Sequence, residues 1–199
     1  MLYIPSKAAI PCKIYGYGRL ICPRTIRLLV IHLSRESTSI LSCYLKAVSL
    51  DSAPPYEALS YTWCKQDDGY LQCNGKKMGT RRNFRTAPTR LRGTVPRRVI
   101  WTDDMCINQD NGKEKASQIK LMREIYHKAT CVLVWLGEDV GAKAEQAFDQ
   151  IRRVAQPENN LPSPEDSWWD PVAGFYRCVW FSRLWVFQEI TMAISADLY

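Results

Sequence analysis

The chain has 199 residues, 46% of them hydrophobic, which is enough to bury a core of its own, and a single domain is expected. Eight cysteines without a C-x-x-C pair stand beside only two histidines, His32 and His127, which excludes ordinary zinc-site arithmetic and leaves no metal ligand set. The formal net charge of +7 is concentrated in residues 70–100, which hold nine Lys or Arg and no Asp or Glu, so the remainder is slightly acidic.

That basic segment is a solvated face or an attractor of phosphates. Aromatics interleaved with its charges are scarce, with only Tyr70 and Phe84, so nucleic acid is not the expected partner. The apolar run Leu28 to Leu33 is too short for a membrane span or a signal segment. A reduced, cytoplasmic protein is expected, with its cysteines mostly in the core.

In chain order, β-branched and apolar runs predict strands at Ile26–His32 and Cys43–Val48, the second ending at the turn-rich "DSAPPYE". They are expected to form an antiparallel pair. In residues 56–63, Tyr56, Ala58, Ser60 and Thr62 alternate with Glu57, Leu59, Tyr61 and Trp63, the period of a strand. "RVIWTD" (98–103) and "CVLVWL" (131–136) are short runs of the kind buried on both faces of a parallel sheet.

Between those two runs, Ile119, Met122, Ile125, Tyr126 and Ala129 recur at spacings of three and four, one apolar face of a helix. Asn111 and Glu114 have the form of a capping box at its start. Strand, helix, strand predicts a parallel crossover. "DDMCINQ" then leaves the carboxyl end of a strand, where open α/β sheets place ligand sites.

A second helix is predicted over 142–155, followed by "QPENNLPSPEDSWWDP" as a long surface loop. In the closing "WFSRLWVFQEITMAI", Ser182 is the expected N-cap of a helix carrying Leu184, Phe187 and Ile194 on one side. Trp185, Glu189 and Met192 fall on another, which sets an acid one turn from an indole.

Several of these residues have two readings. Asp103 and Asp104 either bind a ribose hydroxyl or cap the following turn. Trp63, Trp101, Trp135 and Trp185 are core residues or aromatic faces for a ligand ring. Glu189 is a solvated helix carboxylate or a catalytic one. Glu114 is read as the capping partner of Asn111 rather than an acid–base group. The spacing of Cys106 and His127 gives no reason to expect a nucleophilic pair.

"YEALSYTWC", "WTDDMCINQDNGKEKASQIKLMREIYHKATCVLVWLGED" and "WFSRLWVFQEITMA" resemble, in order and spacing, the three signature blocks of the fungal heterokaryon-incompatibility (HET) domain. Residues 1–25 are then an N-terminal extension and 26–199 the domain. Because the chain ends ten residues after Glu189, whereas family members commonly continue, the domain is expected to be cut short. Two departures stand out: Cys64 occupies a family glycine position, and Pro88 falls in what the family pattern makes a helix interior, which predicts a shortened or broken helix. The resemblance implies nonself recognition and regulated cell death when incompatible cells fuse, with protein partners and possible homo-oligomers.

HET domains look like distant relatives of TIR domains, and "WVFQEI" is similar to the Trp-Cys-Leu-Asp-Glu-Leu element of plant TIR domains. That likeness implies a three-layer, TIR/flavodoxin-like α/β fold with a parallel core of 58–63, 99–103 and 131–136. It also implies Glu189 as the catalytic carboxylate of NAD⁺ cleavage, with Ser60, Trp63, Asp103, Asp104 and Trp185 around the substrate. No tightly held cofactor is expected, since NAD⁺ enters as substrate. The alternative implied by the family is a noncatalytic death-signalling module that works by assembly.

Overall fold

A computed structural model describes residues 13–32, 42–63, 69–80, 84, 86–87, 97–138, 143–156 and 160–199, and every structural statement here concerns those residues. The expectations for Cys64 and Pro88 lie outside them.

The strands are β1 (Thr25–His32), β2 (Ser42–Ser49), β3 (Glu57–Tyr61), β4 (Gly69–Cys73), β5 (Lys76–Thr80), β6 (Arg97–Trp101), β7 (Val132–Trp135) and β8 (Ala196–Leu198). The helices are α1 (Asp103–Cys106), α2 (Gly112–Lys128), α3 (Lys143–Val154), α4 (Asp170–Tyr176) and α5 (Leu184–Thr191). All the strands join one mixed sheet in the order β5-β4-β2-β1-β6-β3-β7-β8. The result is a three-layer α/β fold whose parallel part, β6-β3-β7-β8, is the expected core extended by β8. β1 and β2 form the expected antiparallel pair, and β1 joins the core by running antiparallel to β6.

The parallel strands sit where they do because they are apolar on both faces. Ala58, Leu59, Ser60 and Tyr61 are buried in succession, as are all four residues of β7, so helices must cover both sides. Helix α2 supplies part of that cover through Met122, Ile125 and Tyr126, and packs against α5. The Tyr56 hydroxyl donates to the Ile125 carbonyl at 2.6 Å, tying the end of α2 to the start of β3.

Several local expectations are corrected. The Asn111 side chain does accept the Glu114 N–H, but the Glu114 carboxylate turns away, to Arg27 and to the Asn108 N–H. The reciprocal half of the capping box is absent because a buried guanidinium is the stronger partner. Arg27 is itself buried, and also donates to the Gly18 and Cys106 carbonyls, so one side chain joins β1 to the N-terminal segment, α1 and α2. Glu114 ends below the usual carboxylate range: burial raises it, but the hydrogen bonds from Arg27 and Asn108 outweigh burial.

Ser182 is not an N-cap, since its hydroxyl donates back to the Val179 carbonyl, and Arg183 precedes α5 without a side-chain cap. The stretch expected as loop to residue 171 turns helical earlier, with a 3-10 turn at Ser167–Trp169 running into α4, where Pro171 sits in the first turn and loses no helical bond. The hairpin β4–β5 interrupts the basic segment. Its turn is Asn74-Gly75, with φ of 50° and 71°, the left-handed pair that tight hairpins require.

Candidate active site

β3 and β6 run parallel with Ala58 opposite Trp101, so their carboxyl ends lie side by side. Just past them the chain places Thr62 and Trp63 on one strand end and Asp103 on the other. α5 crosses close by. Together these segments border a pocket of about 470 Å³.

The centre of the polar network is Glu189, which is 1% exposed although its helix is short. One carboxylate oxygen accepts a short hydrogen bond from the Ser60 hydroxyl, and the other accepts from Arg183 Nη2 at 3.2 Å. Ser60 Oγ in turn accepts the Trp180 indole N–H at 2.8 Å. A serine inside a buried strand is thus fully used, relaying an indole donor to a buried carboxylate. The solvated reading of Glu189 is overturned: α5 buries Val186 and Glu189, while Leu184 and Phe187, expected on a different side of the helix, are 85% and 77% exposed.

Asp103 lines the pocket. Its Oδ1 accepts the Asp104 N–H at 2.8 Å and the Trp63 indole N–H at 3.3 Å, and the Gln109 amide donates to its carbonyl at 2.8 Å. Burial, then the charge of nearby Glu189, raise its pKa to about 7 against the pull of Arg183. Arg183 bonds to Glu189 and reaches Asp103 only through its charge, so Asp103 keeps its proton unusually long.

The structure brings five of the six expected site residues together: Ser60 touches Glu189, and Trp63, Asp103 and Trp185 line the pocket whose wall includes Glu189's partner Arg183. Asp104 is not a lining residue, because its carboxylate accepts the Tyr61 hydroxyl at 2.8 Å. The tryptophans divide. Trp101 and Trp135 are core, whereas Trp185 is 46% exposed at the pocket. Cys106 makes no pair with His127: its buried thiol lies against Ile100 and Thr102, with burial pushing its pKa up to about 12, while His127 faces the Met192 carbonyl.

Arg183 and Trp180 were not singled out from sequence. Both lie in the "WFSRLW" run, and burial of Glu189, which the sequence does not announce, is what requires a cation and donors nearby. Among the described residues no group of His, Cys, Asp or Glu is placed to hold a metal, and no helix is long and apolar enough to cross a membrane.

No solved structure matches the chain. It is 32% identical over 147 residues to heterokaryon incompatibility protein 6, OR allele, of Neurospora crassa, covering 66% of this chain and 21% of that protein. It is 26% identical over 152 residues to vegetative incompatibility protein HET-E-1 of Podospora anserina, covering 73% of this chain and 10% of that protein. The chain thus spans about a fifth and a tenth of the lengths of these curated relatives. Residues 56–189, from just before β3 to the buried glutamate, match the family described as heterokaryon incompatibility protein (HET), and the chain belongs to that family.

Proposed function

We propose that the chain is the death-triggering domain of a fungal nonself-recognition protein, and that its pocket hydrolyses NAD⁺ at the bond between nicotinamide and ribose. The observation that carries the catalytic part is the buried Glu189, held by Ser60 and Arg183 behind a pocket lined by Trp63, Asp103 and Trp185. In this reaction the C1′–N bond breaks and its electron pair goes to the nicotinamide nitrogen, which loses its positive charge and needs no acid to leave. Positive charge develops on the ribosyl carbon, and a wall with two carboxylates against one guanidinium favours it. Water then forms the new C1′–O bond and gives its proton to Asp103, whose pKa near 7 suits a base working at neutral pH. Trp63 and Trp185 offer indole faces to the departing ring.

The test is nicotinamide release from NAD⁺ by the purified chain, wild type against Glu189→Gln. The variant is expected to lose ~10²-fold in rate. It also leaves Arg183 without its anion, so a stability loss of about 2 kcal/mol is expected, and rates are compared where both proteins are folded. Equal rates would remove Glu189 from the chemistry.

A second reading is favoured by one feature, the outward-facing Leu184 and Phe187 on the helix that carries Glu189. An apolar helix face in water suits a module that signals by assembling with protein partners. Cell death still caused by a Glu189→Gln protein, with no NAD⁺ cleavage in either form, would select it.

A further inference from the structure

We propose that Lys115 is the phosphate anchor of this pocket, so that the ligand it selects is a diphosphate-bearing nucleotide rather than a free nucleoside. This rests on the proposed NAD⁺ chemistry for the direction of binding, but not for the anion site itself.

Most polar groups of the pocket are already committed; among the described residues the exceptions are Arg183 Nη1 and Gln109 Oε1, buried without a partner, and the Lys115 ammonium. Asp103 accepts from Trp63 and Asp104, Arg183 donates to Glu189, and the Gln109 amide donates to the Asp103 carbonyl. Lys115 lines the same pocket, is exposed, and has no hydrogen bond or ion pair to its ammonium among the described residues. Its helix neighbours give it none: three and four residues away stand Gly112 and Asn111 on one side and Gln118 and Ile119 on the other. The adjacent carboxylate, Glu114, is bound to Arg27.

The pocket is therefore polarised. One wall carries Asp103, with Glu189 behind it, while Lys115 contributes an uncompensated positive charge elsewhere on the lining. The indoles of Trp63 and Trp185 line the same pocket, and the volume of about 470 Å³ is in the range of small-molecule sites. An ammonium seeks phosphate oxygens, and a carboxylate wall seeks a cationic ring. A ligand with a positive ring at one end and phosphates further along meets both only in one direction. Lys76 and Lys77 on β5 do not compete for this role, because β4, β2 and β1 lie between β5 and β6 in the sheet.

Binding is read from quenching of tryptophan fluorescence, with ADP-ribose as the phosphate-bearing probe and adenosine as the phosphate-free one. Lys115→Ala is expected to weaken ADP-ribose by about tenfold and to reduce its salt dependence. Lys115→Arg should retain binding, and adenosine should be unaffected by either change. The substitution is on an exposed helix position, so folding is not at stake. Unchanged ADP-ribose affinity in Lys115→Ala, or an equal loss for adenosine, would overturn the proposal. Nicotinamide release, measured alongside, separates the two readings. Lys115-dependent ADP-ribose binding without release would leave the phosphate site standing and remove the glycohydrolase. Release from NAD⁺ with a KM indifferent to Lys115→Ala would do the reverse.

Discussion

Two carboxylates and one guanidinium at the ends of β3 and β6 make stability depend on pH in an unusual direction. Asp103 has a pKa of about 7 in the folded chain against an ordinary 3.8. Between those values the folded state holds a proton that the unfolded chain has released, so stability falls as pH rises through this window, where most carboxylates do the opposite. The contribution is fully present below about pH 4 and lost above about pH 7, on the order of 2–4 kcal/mol. Other groups titrate in the same range, and Asp103→Asn isolates the effect. Urea midpoints from pH 4 to pH 8 are expected to fall more steeply in the wild type than in the Asn variant. Parallel curves would mean that Asp103 is ionised like a surface aspartate. Beside Asp103, Glu189 has direct bonds to Ser60 and Arg183, the partners a buried carboxylate needs.

At the scale of elements, the sequence announces what is periodic. β3 is legible from its alternation, β7 because a strand buried on both faces must be an apolar run, β6 from its apolar end at residues 99–101, and α2 because its Met122, Ile125 and Tyr126 repeat at helical spacing. The hairpin β4–β5 is harder to see: of its ten residues only Leu71, Cys73, Met78 and Thr80 are buried, and its second strand opens with two lysines, which hide the pattern under charge. Its one strong signal is the Asn74-Gly75 pair. α5 is ambiguous for a deeper reason. The sequence separates Leu184 and Phe187 from Glu189 without saying which side is buried, and a carboxylate with the indole-linked Ser60 hydroxyl and an arginine waiting for it takes the buried side. The hairpin allows a clean measurement. A Cβ on Gly75 meets nothing within 4 Å, so Gly75→Ala carries only the penalty of its left-handed φ of 71°. A loss of about 1 kcal/mol is expected in denaturant midpoint with an unchanged m-value. No loss would show that the turn rearranges at no cost.

Across the whole molecule, the parallel side of the sheet ends at β8, whose three residues are all exposed and whose pairing runs to β7 alone among the described strands. An edge of this kind offers unpaired backbone groups to another chain. Next to it in sequence lies the outward face of α5, where Leu184 and Phe187 stand three residues apart, and then Ile194, also exposed. Apolar burial is worth ~25 cal/mol per Å², so hiding these side chains gives association a driving force that a charged edge strand would lack. The net charge of +7 opposes it through mutual repulsion, and added salt screens that repulsion while leaving the apolar contribution intact. The chain is therefore expected to self-associate with rising concentration, and more readily at high salt than at low. Light scattering across a concentration series at two ionic strengths measures this, with Leu184→Lys and Phe187→Lys combined as the control that restores a monomer. A wild-type chain that stays monomeric throughout, or a doubly substituted one that associates equally well, would take the α5 face out of the account and leave β8 as an edge protected by other means.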